Sequence, residues 1–245
     1  MNDDNSYDKI AEQYKKSKQL GFRKYVEEFT LLKLAGDVSG KQVLDLACGE
    51  GIYTRKIKQL GASAIVGVDL SSEMIKLAEA EERKNPIGCQ YLVNDALNLG
   101  KIGDFDMVMC MYLLNYARNK EELLQMCESI YINLKPKGKL FGFNDNPMNN
   151  LENYATYKEY GFIKESTINR EEGDFVKYII YNPDGKEFSF NNYYLSPQTY
   201  EACFLAAGFK NFQWEGPFLD EKVRETDYWD VFFNDPPLIG FSASK

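Results

Sequence analysis

The chain has 245 residues, a formal net charge of −8 at pH 7 and no histidine. The missing histidine excludes Ser-His-Asp and Cys-His nucleophiles and His-ligated zinc, so any proton transfer must use Asp, Glu, Tyr, Lys, Cys or water. The acidic charge argues against nucleic acid or an anionic membrane as a partner. The five cysteines lack C-x-x-C spacing, the start lacks signal-peptide features, and no long apolar run occurs. We therefore expect a cytoplasmic protein with reduced thiols and no membrane span.

Two helices are predicted at the N-terminus, over residues 4–35. Side chains from Tyr7 to Tyr14 recur at i, i+3, i+4 and i+7, which is one face of a helix. A second aromatic-rich helical stretch follows from Phe22 and ends near Gly36.

Apolar runs then alternate with helical patterns, which is typical of parallel βαβ units whose sheet is covered on both faces. The predicted strands are 42–47, 64–70, 89–93, 105–111 and 139–143, and the predicted helices are 52–60, 71–84 and 120–134. The sequence therefore predicts an α/β fold with a mostly parallel sheet.

The pattern changes after residue 143. Two alternating runs within 175–195 flank the turn sequence Asn182-Pro183-Asp184-Gly185 and predict a β-hairpin. A helix over 196–207, with Ser196 as its N-cap, and strands over 209–215 and 238–242 complete the chain. We expect one domain, residues 1–245, in which residues 144–195 form an inserted segment.

The stretch VLDLACGEG places two glycines where the first predicted strand turns into a helix. Ligands bind at the carboxyl ends of parallel strands, and glycine lets a ligand contact the bare backbone. Asp69 ends the next strand, where a carboxylate can accept hydrogen bonds from two ribose hydroxyls. A structural turn at the glycines and a helix cap at Asp69 are the alternatives. Together the two features predict a nucleoside site.

The glycine turn does not match a dinucleotide fingerprint, because the third glycine of G-x-G-x-x-G is replaced by Thr54. Glu50 within the turn and Asp45 before it would repel a pyrophosphate. These carboxylates favour a ligand with a positive or zwitterionic end. No Gly-Lys-Ser/Thr sequence follows, which excludes a P-loop.

The ordered series VLDLACGEG, VGVDLS, VNDALNL, FDMVMCMYLLNY and LKPKGKL resembles the motifs of class I S-adenosylmethionine-dependent methyltransferases. The resemblance implies a Rossmann-like sandwich, with a mostly parallel seven-stranded sheet whose last strand is antiparallel. It also implies that S-adenosylmethionine is the cofactor and that S-adenosylhomocysteine is its product. The expected activity is methyl transfer by in-line displacement, without a metal.

The resemblance implies cofactor contacts at matched positions. The glycine turn would lie under the methionine part, Asp45 would orient the amino group and Asp69 would hold the ribose. Leu70 and Met74 would flank the adenine, with a core role as the alternative for Met74. The implied set is Tyr14, Arg23, Asp45, Ala47, Gly49, Gly51, Asp69, Leu70, Met74, Asp95, Ala96, Cys110 and Met111. In it Asp95 and Ala96 would bind adenine, and Cys110 and Met111 would lie near the sulfonium.

The run from Tyr7 to Tyr14 also resembles the Y-D-x-x-A-x-x-Y opening of small-molecule methyltransferases, whose N-terminal helix closes over the cofactor. Residues 1–36 would then form a helical lid, and Arg23 would pair with the cofactor carboxylate. Packing of the two tyrosines against the core and a solvated Arg23 are the alternatives.

A narrower resemblance, in CMYLLNYA and LSPQTYEACFLAAGF, is to toxoflavin-type N-methyltransferases. It implies a small-molecule acceptor, most directly a ring nitrogen of a flat heterocycle. The expected substrate residues are Tyr7, Tyr112, Asn115, Phe143 and Asn144, and no catalytic base is assigned. A nucleotide-dependent oxidoreductase and a non-catalytic S-adenosylmethionine-binding module are the competing hypotheses. The oligomeric state, monomer or dimer, stays open.

Overall fold

The computed structural model of the protein describes residues 6–224 and 227–245, with side chains from residue 12 onward. The helices are α1 (Ser6–Ser17), α2 (Phe29–Ala35), α3 (Ile52–Gln59), α4 (Ser72–Lys84), α5 (Lys120–Asn133), α6 (Pro197–Ala206) and α7 (Asp230–Asn234). A π-helical turn, Arg23–Glu28, leads directly into α2. The described part of the chain contains no helix that is long and apolar enough to cross a membrane.

Within the described residues, ten strands form two sheets. The strands are β1 (Gln42–Leu46), β2 (Ala64–Asp69), β3 (Cys89–Val93), β4 (Phe105–Met111), β5 (Leu134–Asp145), β6 (Phe162–Glu165), β7 (Phe175–Tyr181), β8 (Glu187–Tyr193), β9 (Lys210–Glu215) and β10 (Leu238–Ser244). The main sheet has the order β3-β2-β1-β4-β5-β10-β9. β10 runs antiparallel to both of its neighbours, and β1 to β5 pair in parallel. The predicted Rossmann-like sheet with an antiparallel last strand is confirmed.

The central strands are buried on both faces because each alternates its side chains between two apolar clusters. In β1, Val43 enters the cluster that contains residues of α2 and α3, whereas Leu44 enters the cluster of α5 and α6. In β4, Met109 enters the first of these clusters and Val108 enters the second. This arrangement explains the continuous apolar runs of the sequence and leaves the carboxyl edge of the sheet for polar groups.

The second sheet is antiparallel and has the order β6-β7-β8. The predicted hairpin is present as β7 and β8, with the turn at Asn182 as expected. β6, which pairs with β7, was not predicted from the sequence. It joins this sheet to the N-terminal segment, since Phe162 packs on Phe22 with 4.9 Å between ring centroids.

The fifth strand of the main sheet also differs from its predicted bounds. Pro136 and Gly138 were expected to separate a helix from a strand, but β5 already begins at Leu134 and includes both residues. The register between β4 and β5 shifts between Phe105 and Met107, so the extra residues lie in an irregular start of the strand. A proline is tolerated at such a position because no regular ladder bond is lost.

Candidate active site

Two strained backbone positions mark the carboxyl edge of the main sheet. Ala47, directly after β1, has φ 60°, and Tyr112, directly after the neighbouring β4, has φ 59°. The Tyr112 amide donates to the carbonyl of Phe143 at 2.8 Å, which helps to hold this conformation. Non-glycine residues rarely adopt positive φ, and such outliers concentrate at functional sites.

The two glycines of the turn have different roles. Both have positive φ, 55° at Gly49 and 79° at Gly51. A Cβ added at Gly51 would lie 2.5 Å from the Tyr91 hydroxyl, whereas one added at Gly49 would meet no described atom within 4 Å. Gly51 is therefore required by packing, and Gly49 presents an open backbone face to any ligand above the turn.

The Asp69 carboxylate is fixed beside this open face. It accepts hydrogen bonds from the amide of Gly49 at 2.7 Å and from the amide of Ser71 at 2.9 Å. Two large apolar side chains next to Asp69 are exposed. Leu70, the next residue, is 51% exposed, and Val93, which pairs with Asp69 in the sheet, is 53% exposed. An oriented carboxylate next to exposed apolar surface suits a ribose with its base.

Asp95 and Ala96 lie in the loop that follows β3. The Asp95 carboxylate accepts from the amide of Leu97 at 2.9 Å and from the side-chain amide of Asn98 at 3.2 Å. The amide of Asn94 donates to the Asp69 carbonyl at 3.0 Å, which joins this loop to the end of β2. The structure therefore brings the end of β2, with Asp69, next to the loop after β3, with Asp95.

Asp45 and Cys110 lie below the turn and are fully enclosed. The Thr54 hydroxyl donates to the Asp45 carboxylate at 2.6 Å. Burial, aided by the charge of Asp69 and opposed by the Thr54 hydrogen bond, raises the pKa of Asp45 to about 7. Burial, together with Asp45, also raises the pKa of the Cys110 thiol. Cys110 is thus a protonated packing residue, and Met111 beside it is also buried.

Met74 lies in the interior, with 2% of its surface exposed, and its amide donates to the Ser71 hydroxyl at 3.2 Å. This position agrees with the core role that was the alternative to an adenine contact. Ser71, which was predicted as the first residue of this helix, is the N-cap of α4.

Helix α1 lies across the strand ends, packing against α4 on one side and β8 on the other. On the β8 side, the Asn182 side chain donates to the Gln13 carbonyl at 3.0 Å. On the glycine-turn side, Lys15 pairs with Glu50 at 3.4 Å. The helix thus covers the open face of the turn. The Tyr7 side chain lies outside the described residues.

A buried polar cluster surrounds Glu27, which sequence reasoning missed. Glu27 pairs with Arg23 and accepts from the hydroxyls of Tyr53 at 2.6 Å and Tyr112 at 2.5 Å. Burial opposes the ionisation of Glu27, but Arg23, Lys18 and the two hydroxyls outweigh it and lower its pKa. No sequence pattern distinguishes this glutamate from the exposed acids of other helices.

Three buried polar side-chain atoms in this region have no hydrogen-bond partner within residues 6–224 and 227–245. One is the Tyr91 hydroxyl, which lies against Gly51, and the others are Nε of Arg23, a donor, and Oε1 of Glu50, an acceptor. Buried polar groups are nearly always satisfied, so such a pair indicates a ligand with both an acceptor and a donor. A zwitterionic amino-acid group has both.

A narrow cleft lies between α1, the π-helical turn and the second sheet. It encloses about 20 Å³, room for about one water molecule, and is lined by Tyr14, Phe22, Arg23, Tyr112, Tyr178, Ile180, Phe190, Asn192 and Leu238. Of the predicted residues it includes Tyr14, Arg23 and Tyr112. A ligand larger than a water molecule can enter only if α1 or the second sheet moves.

The other predicted substrate residues lie beneath this cleft. Phe143 is buried and meets the Tyr112 ring edge to face, with centroids 5.8 Å apart. Asn144 donates to the Tyr200 hydroxyl at 3.0 Å. Asn115 is 1% exposed, and neither polar atom of its side chain has a partner in the described structure.

The second sheet contributes cleft residues that were not predicted. Tyr178 and Ile180 on β7 and Phe190 and Asn192 on β8 lie on one face, at alternate positions of their strands. The period-two pattern was the signal that could have found them. Asn192 is 2% exposed, and its side-chain oxygen has no partner among the described residues. The described residues contain no group of three Cys, Asp or Glu side chains suited to a metal ion.

Comparisons with known proteins agree with this geometry. Residues 43–138 match the family model described as a methyltransferase domain. The chain is 32% identical over 107 residues to a ubiquinone biosynthesis O-methyltransferase from Xanthomonas oryzae, covering 43% of each chain. It is 32% identical over 119 residues to the Coxiella burnetii protein of that description, covering 48% of this chain and 47% of the relative. The chain thus spans less than half the length of these relatives.

Solved structures extend the similarity of fold to most of the chain. An S-adenosylmethionine-dependent methyltransferase from Mesorhizobium loti has a TM-score of 0.63 at 18% identity, covering 88% of this chain and 95% of that one. An amino pentose methyltransferase from Micromonospora echinaspora, solved with S-adenosylmethionine bound, has a TM-score of 0.56 at 17% identity, covering 97% and 90%. These structures show that the chain shares their fold, and residues 43–138 match the methyltransferase domain model.

Proposed function

We propose that the protein transfers a methyl group from S-adenosylmethionine to a small-molecule acceptor, most directly a ring nitrogen of a flat heterocycle. The observation that carries this proposal is the amide-fixed Asp69 carboxylate beside the open face of Gly49, within the matched methyltransferase segment. S-adenosylmethionine supplies an electrophilic methyl group when it is bound.

The residues of the turn fit an adenosyl ligand with a methionine tail. Asp69 would hold the ribose, Leu70 would cover one face of the base, and Asp95 with the Ala96 amide would bind its edge. Gly49 leaves room for the sugar and tail because no side chain occupies that face. The exposed apolar surface at Leu70 supports this assignment, since a bound base would cover it.

Two of the unsatisfied polar atoms, Nε of Arg23 and Oε1 of Glu50, fit the amino-acid end of the same ligand. Arg23, with Tyr14 beside it, would donate to the carboxylate, and Oε1 of Glu50 would accept from the amino group. Asp45, Ala47 and Gly51 would shape the floor of this subsite, and Cys110 and Met111 would lie below the methyl group. Met74 would support Leu70 from the core.

We propose residues 1–245 as one methyltransferase domain. Within it, residues 1–36 would act as a lid and residues 144–195 as an inserted segment on the acceptor side. The contacts of α1 with both the glycine turn and Asn182 support this division, because they close the cleft from above. The lid would exclude water and hold the acceptor in line with the methyl group.

A flat acceptor fits the aromatic walls of the cleft. Tyr112, Tyr178 and Phe190 provide faces for an aromatic ring, and the unpartnered side-chain oxygen of Asn192 can accept a hydrogen bond from its edge. The net charge of −8 argues against a nucleic-acid acceptor. A cytoplasmic location stays a prediction.

A phenolic oxygen is the second candidate acceptor. The two curated relatives described above are O-methyltransferases, but that similarity covers less than half of the chain, and the methyltransferase domain model matches residues 43–138. It therefore carries little information about the acceptor, whose cleft is formed mainly by the N-terminal segment and the second sheet.

Calorimetry and label transfer test the proposal in two steps. S-adenosylhomocysteine should bind in a one-to-one complex, whereas NADH, the ligand expected of an oxidoreductase, should not. Methyl-labelled S-adenosylmethionine should then transfer label to a compound in a panel of lumazine, xanthine, alloxazine and caffeic acid. Binding of NADH alone would overturn the methyltransferase, and label only on caffeic acid would replace nitrogen by oxygen as the acceptor.

A further inference from the structure

A second buried polar cluster lies on the acceptor side of the cleft, at the end of β5. The Asp145 carboxylate accepts from the ammonium of Lys164 on β6 at 2.8 Å and, through the same oxygen, from the hydroxyl of Tyr178 on β7. All three residues are at least nine-tenths buried. A buried ion pair of this kind is rarely favourable for stability alone, because both charges lose their hydration.

Tyr178 connects this cluster to the cleft. Its ring lines the cleft and stacks on Phe190, with centroids 5.4 Å apart and planes within 1° of parallel. Its hydroxyl donates to Asp145, so the lone pairs of the oxygen are left to accept a hydrogen bond from another group. Asp145 itself does not line the cleft.

We propose that Tyr178 accepts the proton that leaves the methyl acceptor and passes its own proton to Asp145; this rests on the proposed function. As the bond forms between the acceptor atom and the methyl carbon, the bond from that carbon to sulfur breaks and its electron pair stays on sulfur. The acceptor proton moves to the Tyr178 oxygen, and the Tyr178 proton moves to Asp145. No oxidant or further reactant is needed.

The surroundings favour a relay over a free phenolate. Burial and the Asp145 charge raise the pKa of Tyr178, so the hydroxyl keeps its proton until another one arrives. Burial lowers the pKa of Lys164 although Asp145 opposes this effect. The other titratable groups near the cluster are Tyr112, Tyr154, Tyr157, Tyr200, Arg170 and Asp235. The chain lacks histidine, and the other tyrosine–carboxylate pair at the cleft, Tyr112 with Glu27, has a carboxylate whose pKa Arg23 and Lys18 help to lower, so Asp145 is the better proton acceptor.

The relay narrows the acceptor class. A ring nitrogen with a free lone pair has no proton to lose and would leave Tyr178 unused. The acceptor atom should therefore carry hydrogen before transfer, as in a lactam N–H, an imide N–H or a phenol O–H.

The test compares Tyr178→Phe and Asp145→Asn with the wild-type protein, using whichever panel compound the wild type methylates. General base groups contribute roughly 100-fold or more to rate. We expect kcat to fall by roughly 100-fold in both variants. The affinity for S-adenosylhomocysteine should not change, and the dissociation constant of the methylated compound from that complex should rise less than about tenfold, the usual effect of one hydrogen bond.

Tyr154→Phe is the matched control. The Tyr154 ring packs on Lys164, whose ammonium lies 4.2 Å from the ring centroid. The Tyr154 hydroxyl accepts a hydrogen bond from the Arg170 guanidinium outside the cleft. This variant should keep the wild-type kcat, which separates a proton path from general support of the cluster.

Each outcome decides between the proposals. If Tyr178→Phe keeps more than half of the wild-type kcat, the relay is wrong and the methyltransferase stands. If Tyr154→Phe loses activity as strongly as Tyr178→Phe, the cluster is structural and the relay is again wrong. If the wild type binds S-adenosylhomocysteine but methylates no compound of the panel, the proposed acceptor class fails and the relay fails with it.

Discussion

The cofactor side and the acceptor side of the proposed site are built in different ways. On the cofactor side, short segments of the main sheet fix the site by backbone geometry: positive φ at Ala47 and Gly49, and amides that hold Asp69. On the acceptor side, Tyr112, Tyr178 and Asn192 come from distant parts of the chain and define the cleft by their side chains. The cofactor side lies within residues 43–138, which match the methyltransferase domain model, whereas Tyr178 and Asn192 of the proposed acceptor side lie outside that segment.

The largest effect should come from the proton on Asp45, below the turn. Burial raises its pKa to about 7, above the value of about 3.9 for an unfolded chain. The folded state therefore binds this proton more tightly, and the resulting stability is complete below about pH 4 and lost as pH rises to about 7. The integrated change is on the order of 4 kcal/mol. Asp45→Asn keeps the Thr54 contact and should remove this pH dependence.

Urea unfolding of the wild type and Asp45→Asn, from pH 4 to pH 8, measures the difference. Other acids titrate in both proteins and cancel. Parallel stability curves would show that Asp45 is ionised throughout and that the cofactor side is more hydrated than its burial indicates.

Gly51→Ala tests whether backbone geometry is essential on the cofactor side. The new Cβ would meet the Tyr91 hydroxyl at 2.5 Å and would be strained at φ 79°. Overpacking together with the left-handed conformation should cost about 3 kcal/mol in the free energy of unfolding. Gly49→Ala is the matched variant, since its Cβ meets open space and only the strain of about 1 kcal/mol remains.

Calorimetry with S-adenosylhomocysteine should reverse the order of these two glycine variants. The quantity to compare is the loss of binding free energy divided by the loss of unfolding free energy. Gly49→Ala should lose more affinity, because its methyl group enters the ligand space. Equal affinity of Gly49→Ala and wild type would place the ligand elsewhere.

Asp69→Ala should weaken S-adenosylhomocysteine binding by about 1–3 kcal/mol, the scale for leaving buried polar partners unmatched. Asp104→Ala, which removes an exposed carboxylate paired with Lys101, is the control and should bind normally. Unchanged binding in a folded Asp69→Ala protein would remove this residue from the site.

Asn182→Ala tests the junction between the two sides and should have the smallest effect. It removes the bonds from the β7–β8 turn to Gln13 on α1. Dissociation of S-adenosylhomocysteine should become roughly 2–10-fold faster, as expected for one or two hydrogen bonds. Stopped-flow measurements with Asn85→Ala as the control give the comparison; equal rates would mean that α1 is held without the second sheet.

The difference between the cofactor side and the acceptor side also explains which parts of the structure the sequence predicts. The main sheet was predictable because its strands are apolar on both faces and its turns are marked by Gly49, Gly51 and Gly61. The position of Asp69 followed from the strand pattern alone. β6 was missed because four residues give too short a pattern, and the start of β5 was misplaced because Pro136 is usually a breaker.

The acceptor side was less predictable for a physical reason. Period-two alternation identifies the buried face of β7 and β8, but it does not show which other element covers that face. Tyr178 therefore could be placed on the face, but not next to Asp145. Glu27 gave no signal, because only the folded chain brings the hydroxyls of Tyr53 and Tyr112 to it.

Glu27 joins three parts of the chain that are far apart in sequence: the π-helical turn, the start of α3 and the end of β4. Removing Glu27 leaves all three partners unsatisfied, and removing one partner changes how Glu27 meets the other two, so the energies of paired substitutions will not add. In hydrogen–deuterium exchange, amides of the π-helical turn should open together with those of α3 and β4, as one cooperative unit, although the turn lies within the first thirty residues of the chain.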